Sequence, residues 1–322
     1  MLFLPISAKP LYLHLICELK LADKGVIVNK MEYISVVQFA EKYGVSERTA
    51  RNYCAEGKSD GAFLTGKTWN IPADAELPKR GRMRVSPLLC RLREEKEKKL
   101  NGGIYHRTQV DLTYNSNHME GSRLTKEQTR FISETNTLGI TTENTSVDDI
   151  IETINHFRCI DYVIDHAMDK ITERHIKQLH AILKANTSDS HKSWFAVGDY
   201  KRLPNEVGGN ETALPKDVHK RMKALTTDYN AIKKVEFNDI LNFHVLFERI
   251  HPFQDGNGRV GRLLLFWQCL QSAHVPFIIT EDLRLFYYRG IQNWGQINGD
   301  LRDTCLTAQD NYKQILDYFK IK

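Results

Sequence analysis

Apolar positions along most of this chain recur at helical spacing. In "VDDIIETINHFRCIDYVIDHAMD", Ile150, Ile151, Ile154, Phe157, Ile160, Val163, Ile164 and Ala167 fall on one side of a helix. "ITERHIKQLHAILKAN" repeats the pattern, with Thr172 as the expected N-cap. Pro215 opens "KDVHKRMKALTTDYNAI" as an N1 proline. Asn238 is the expected cap of "DILNFHVLFERI", whose C-terminal end delivers His251. "GRVGRLLLFWQCLQSA" predicts the next helix, and "TEDLRLFYYRGIQNW" another, capped by Thr280 with Glu281 and Asp282 in its first turn. From about residue 94 onward the chain therefore reads as all-α, with one glycine-rich interruption near residue 208. No internal repeat or low-complexity tract breaks it.

Residues 31–80 have a different rhythm. "SVVQFAEKYGV" and "SERTARNYCAEG" predict two short helices across a turn at Gly44, the second starting at Ser46. "GAFLTGKTWNIP" then predicts a small hairpin about Thr65-Gly66-Lys67. The order resembles winged helix-turn-helix modules of the excisionase and MerR-like type, in which "WNIPADAELP" is a typical close. That resemblance implies DNA contact through Ser46, Arg48, Thr49, Arg51 and Asn52, with Lys67 on the wing. A protein–protein module of the same fold is the alternative. Residues 81–107 are expected to be a basic linker running into a helix. Lys79, Arg80, Arg82, Arg84, Arg91 and Arg93 form a strip suited to phosphates, so DNA is an expected partner of residues 31–93.

Composition adds limits. The chain has 322 residues, 41% apolar content and a formal charge of +5. This fits more than one globular domain and permits a nucleotide or nucleic-acid partner without requiring one. Cys17, Cys54, Cys90, Cys159, Cys269 and Cys305 form no C-x-x-C pair, which argues against a zinc site or a disulfide framework and for reduced thiols in the cytoplasm. Residues 1–30, broken by Lys9, Pro10, His14 and Glu18, are expected to be a tail or a mis-assigned start before Met31. Neither they nor any later segment reads as a membrane span.

The richest chemistry lies in "HPFQDGNGRVGR", residues 251–262. Gly256 and Gly258 flank Asn257, and a helix begins there, so free N–H groups and a positive dipole end face the loop. Arg259 and Arg262 are expected on one face of its first turn as two phosphate clamps. Asp255 beside such a nest suits Mg²⁺, and His251 suits a general base. His244, His175 and His180 are read as packing or surface residues.

These positions fit the Fic-family motif HPFx(D/E)GNGRxxR throughout, and residues of about 148–272 resemble the Fic core. The resemblance implies transfer of AMP from ATP to a protein hydroxyl with release of pyrophosphate. It implies His251 as base, Asp255 as Mg²⁺ ligand, Gly256, Asn257, Gly258 and Arg259 as anion hole, and Arg262 at the γ-phosphate. It also implies a β-hairpin flap that docks the target protein by strand pairing; "GDYKRLPNEVGGNETALP" occupies that place, with Val207, Gly208 and Gly209 at its tip. Pro204 confines pairing to one side.

"SNHMEG" resembles the family's inhibitory motif (S/T)xxxE(G/N). Ser116 and Glu120 would share a helix face over about 108–121, Gly121 would end that helix, and Glu120 would pair with Arg262. The expected architecture is a Fic domain over 108–322 with its own brake, of the class II kind. Two readings compete with adenylyl transfer: removal of AMP at the same site, and a DNA-binding regulator whose Fic domain senses nucleotide. The target protein and self-association are left open by the sequence. Tyr287 and Tyr288 resemble the family's tyrosines near the adenine pocket.

Overall fold

The protein is described here from a computed structural model, over residues 32–78, 85–139, 144–207 and 209–321. The described residues fall into two compact units, separated within the 79–84 stretch. Expectations for residues 1–30, Met31, Lys79, Arg80, Arg82, Arg84 and Gly208 lie outside the described residues.

The first unit opens with β1 (Tyr33–Ser35), followed by α1 (Val36–Tyr43), α2 (Glu47–Ala55), β2 (Phe63–Thr65) and β3 (Thr68–Pro72). Ser35 ends β1 and caps α1, bonding reciprocally with Gln38. Gly44 ends α1 at φ +65°, and Ser46 caps α2. The hairpin turns at Gly66 as expected. The sequence pattern did not reveal β1, a strand of three residues that pairs antiparallel with β3 and completes the order β1-β3-β2. Val36, Phe39, Ala40, Ala50, Cys54 and Ile71 form this unit's own core.

The second unit is mostly helical: α3 (Pro87–Glu97), α4 (Ile104–Met119), α5 (Lys126–Thr135), α6 (Val147–His166), α7 (Glu173–Leu183), a two-stranded hairpin β4 (Glu206–Val207) and β5 (Asn210–Glu211), then α8 (Pro215–Ala231), α9 (Phe237–Ile250), α10 (Asn257–Gln271), α11 (Arg284–Asn293) and α12 (Asn298–Tyr318). With the first unit this makes twelve helices among the described residues. The helix expected over about 108–121 is α4, which starts earlier, at Ile104. Asn238 is not the cap of α9. The Asp239 carboxylate reaches back to the Glu236 N–H at 2.8 Å and starts the helix sooner. Thr280 caps only a 3₁₀ turn, Glu281–Leu283, ahead of α11. The basic strip is also partly spent: Arg93 donates to the carbonyls of Ile164 and Asp165 at the end of α6, and Arg91 pairs with Glu95 at 3.2 Å.

α10 runs through the centre, buried on every side from Val260 to Leu270. Val260, Leu263, Leu264 and Trp267 meet Ile160 of α6, Leu179 and Leu183 of α7, and Phe247 of α9 in one core. A second core joins Leu265 and Cys269 to Leu241 and Val245 of α9, Tyr287 of α11, Leu301 of α12 and Met119 of α4. Burying a side chain of this size is worth about 1.5–3 kcal/mol. The start of α10 and the ends of α7 and α9 are thereby held firmly. No helix among the described residues is long and apolar enough to cross a membrane.

Candidate active site

His251 closes α9 as its C-cap at φ +50°, its N–H donating to the Phe247 carbonyl at 2.9 Å. That left-handed backbone costs a non-glycine residue about 1–2 kcal/mol, and the surrounding fold must supply it. The fold does so through the next residues. Phe253 stacks on His180 at 4.0 Å and 5°. Asn257 takes the Phe253 N–H at 2.8 Å and donates to the Phe253 carbonyl at 2.9 Å. The Asn257 side-chain amide thus shapes the loop. His180, expected to be ordinary packing, accepts the Gly198 N–H on Nδ1, which leaves Nε2 to donate to the Asp255 carbonyl at 3.2 Å. The His251 ring is driven to about 4 by burial, with the charge of Lys201 adding to it, so it is neutral at pH 7.

Asp255 lies at the lip, its side chain half-exposed. Its Oδ2 accepts from Lys184 Nζ at 2.7 Å and Arg259 Nη2 at 3.0 Å. Burial opposes its ionisation, but Arg259 and Lys184 outweigh burial and hold the carboxyl well below the usual range. Arg259 also bonds Glu152. It therefore reaches α6, whereas Arg262 is held by α4. Lys184 and Glu152 escaped the sequence reading. In sequence Glu152 is one more acid after Asp148 and Asp149, with nothing to mark it out. Lys184 did carry a signal: a charge four residues past His180, on the buried stripe of Ile176 and Leu179.

α10 starts at Asn257, and its N-cap is Gly256 at φ +82°. A Cβ on Gly256 would press on Leu183 at 3.3 Å. Gly256 has no side chain to cap the helix, so the first-turn N–H groups remain for a ligand. Gly258 is helical and not left-handed. Its missing side chain matters for another reason: a Cβ there would overlap the Glu120 carboxylate. Arg262, on the second turn and not the first, is buried and held by the end of α4 through Nε and Nη2. Its Nε donates to Ser116 Oγ and its Nη2 to the Ser116 carbonyl, both at 2.9 Å, and Nη2 also meets Glu120 Oε1 at 2.6 Å. Gly121 follows at φ +95°. A carboxylate thus sits on the arginine and against the uncapped helix start. Beneath it, His244 Nε2 lies 2.5 Å from the Tyr287 hydroxyl, and burial pushes Glu248 up to about 8.

The β4–β5 hairpin carries Val207, which is exposed, and Gly209 at φ +77°. Its base is bolted to the His251 loop. The Lys201 N–H donates to the Pro252 carbonyl at 2.8 Å, and Asn205 Nδ2 to the Phe253 carbonyl at 3.0 Å. Buried Lys201 Nζ ties Asn205 at 2.5 Å to Thr212 at 2.6 Å across the hairpin. In the first unit, Arg48, Arg51 and Asn52 are exposed on α2, while Ser46 and Thr49 bond each other at the helix cap.

An Mg²⁺ ion fits this donor set. Asp255 Oδ1 takes no part in the ion pairs above. No group of three or more His, Cys, Asp or Glu among the described residues could hold a metal alone. Mg²⁺ commonly takes only one or two carboxylates and finds its other ligands in phosphates and water.

Comparison with known proteins places this geometry. The Fic/DOC family profile matches residues 170–269, a stretch holding the flap and the whole 251–262 loop but not α4. The chain is 26% identical over 213 residues to the protein adenylyltransferase Fic of Drosophila grimshawi, and 26% over 212 residues to that of Aedes aegypti. Each alignment covers 64% of this chain but only 42% and 40% of those relatives' own lengths. In fold, it is similar to a Fic domain containing signaling protein from Bacteroides thetaiotaomicron (TM-score 0.52, 24% identity, 71% of this chain and 90% of that one). It is likewise similar to Fic-1 from C. elegans (TM-score 0.54, 21% identity, 72% of each chain). The mostly helical second unit has the Fic fold, and the chain carries a Fic/DOC family domain distantly related to the protein adenylyltransferases.

Proposed function

We propose that this chain is a protein adenylyltransferase, restrained by its own α4. A hydroxyl of a target protein, or of the chain itself, attacks the α-phosphorus of ATP. His251, neutral at pH 7, accepts the hydroxyl proton as the new P–O bond forms. The bond to the bridging oxygen breaks and pyrophosphate leaves. Asp255 would hold Mg²⁺, which supplies neutralisation of phosphate charge when bound. The backbone at Gly256, Asn257 and Gly258 receives the phosphates, with Arg259 fixing Asp255, and Arg262 is the clamp for the γ-phosphate. Val207 and Gly209 lie on the flap edge along which the target strand would pair.

One observation carries the reading: the Glu120 carboxylate already rests on Arg262 and the open end of α10, where a phosphate anion would bind. In this reading, α4 is the brake, through Ser116, Glu120 and Gly121. ATP seats fully only when that contact yields. The paired helices of the first unit, with Arg48, Arg51 and Asn52 exposed, favour a winged helix-turn-helix role in contacting DNA, with Ser46 and Thr49 setting the helix start.

The position of a label tests the chemistry. Glu120→Gly protein given Mg²⁺ and ATP labelled at the α-phosphate should incorporate label, and ATP labelled at the γ-phosphate should leave none. His251→Ala in that background should abolish incorporation. Label from the γ-phosphate, or label that survives loss of His251, contradicts the reading.

A further inference from the structure

The flap hairpin is too short to place itself. β4 and β5 pair over two residues each, Glu206 with Glu211 and Val207 with Asn210, and Val207 is exposed. A lone two-stranded hairpin is marginal even at greater length, so the position of this edge must come from its base. There Lys201, 3% exposed, reaches between the two limbs. Its Nζ donates to Asn205 Oδ1 on the limb entering β4 and to Thr212 Oγ1 on the limb leaving β5. The Thr212 hydroxyl in turn donates toward Asn205, 2.8 Å from its carbonyl oxygen and 2.7 Å from Oδ1. Three side chains thus lock the two limbs together.

The same lock is joined twice to the loop after His251. The Lys201 N–H donates to the Pro252 carbonyl, and Asn205 Nδ2 to the Phe253 carbonyl. That Phe253 carbonyl also accepts from Asn257 at the start of α10. Hydrogen bonds therefore run without a gap from the far limb of the hairpin, through Lys201 and Asn205, to the His251 loop and α10. Both side-chain acceptors of Lys201 are uncharged. Burying an amine is costly unless it is hydrogen-bonded, and here the bonds it makes are those that bridge the hairpin.

We infer that Lys201 is a positioning residue for the acceptor: from the base of the hairpin it fixes the flap edge against the His251 loop, so that a strand paired to that edge presents its hydroxyl to His251. The inference rests on the reading of the flap as the docking edge and of His251 as the base. It separates two acceptors. A target hydroxyl arrives along the flap, whereas water does not need the flap. Water attacking the α-phosphorus gives its proton to His251, the bond to the bridging oxygen breaks, and AMP and pyrophosphate are released. Loss of Lys201 should therefore divert AMP from protein to water. A lysine that served only to help the chain fold would lower both in parallel.

The test uses the full chain carrying Glu120→Gly, with Mg²⁺, ATP labelled at the α-phosphate, and the chain itself and the proteins of a cell lysate as acceptors. At about pH 7.5 an imidazole is neutral even at its ordinary value, so the charge of Lys201 does not enter. Adding Lys201→Met should lower the ratio of protein-bound to free AMP by about tenfold to a hundredfold, the scale on which a misplacement of about 1 Å acts. Lys201→Arg, which keeps N–H donors on a long side chain, should recover most of that ratio. Thr212→Val removes one acceptor and keeps the shape; it should lower the ratio too, and it decides the matter if Lys201→Met does not fold. Amide hydrogen exchange at Val207 and Asn210 should quicken in the same variants, with Leu263 and Leu264 of α10 unchanged. An unchanged ratio in the variant that folds overturns the inference, as does a parallel fall of protein-bound and free AMP. If Glu120→Gly yields no protein-bound AMP, or His251→Ala leaves it intact, the reading of the site falls instead, independently of Lys201.

Discussion

His251 shows how much of this site depends on the surroundings of single residues. Its position in the motif is legible, but its neutrality is not, because that comes from burial and from Lys201, fifty residues away. The sign of the effect is definite. Its pKa is pushed down to about 4 from the ordinary 6.5, so the ring stays unprotonated through the mildly acidic range. The acid limb of kcat/KM for AMP transfer by Glu120→Gly protein should therefore lie near pH 4; a limb near 6.5 would show an exposed imidazole. Initial rates after brief acid exposure are required. His156, His180 and His244 are also buried, and burial lowers each to about 3. Below pH 6.5 the unfolded chain takes up protons that the folded one refuses, so stability falls as pH drops through that window. Asn257 teaches the opposite lesson. The motif located it, yet its amide serves the loop backbone, a use visible only once Phe253 is seen to lie against it.

At the scale of elements, legibility followed the chemistry of the buried face. α6, α7 and α10 bury apolar stripes, and the spacing of Ile160, Leu179 and Leu263 announces them. α4 has few such residues, because much of what it buries is polar. Thr108 bonds Tyr312, Gln109 bonds Asp161, Thr113 bonds His156, Asn117 bonds Thr153 and Ser116 bonds Arg262. Only its last turn, "SNHMEG", is recognisable in the sequence. Hydrogen bonds of this kind contribute about 1 kcal/mol each and can be exchanged for water, which suits the proposal that the final turn yields to nucleotide. The α11–α12 pair behind it is built differently. Gly290 lies against the Leu301 backbone, which a Cβ would meet at 2.6 Å. Gly290→Ala should cost about 1–3 kcal/mol by overpacking. It should lower Tm by about 2–4 °C per kcal/mol in a unit of this size. An unchanged Tm would mean that the two helices can part at no cost.

At the scale of the whole molecule, two units of different character share one chain. The periodicity separates them, because the first alternates short helices with strands and the second is almost wholly helical. The pairing partner of β3 was not legible, since a three-residue strand carries too little pattern. If the first unit contacts DNA, binding of a mixed-sequence duplex should weaken steeply as salt rises and should be lost in Arg48→Glu/Arg51→Glu protein. Binding that ignores both changes would remove α2 as the contact. The central claim concerns the second unit, where Glu120 at the end of α4 is proposed to compete with nucleotide for Arg262 of α10. It is tested most directly by the rate of AMP incorporation from ATP in the natural protein, in Glu120→Gly and in Glu120→Gly/His251→Ala. Each ~1.4 kcal/mol of clamp energy released is worth tenfold, so Glu120→Gly should be faster by about tenfold or more, with no incorporation in the double variant. Equal rates in the natural protein and Glu120→Gly would contradict the account.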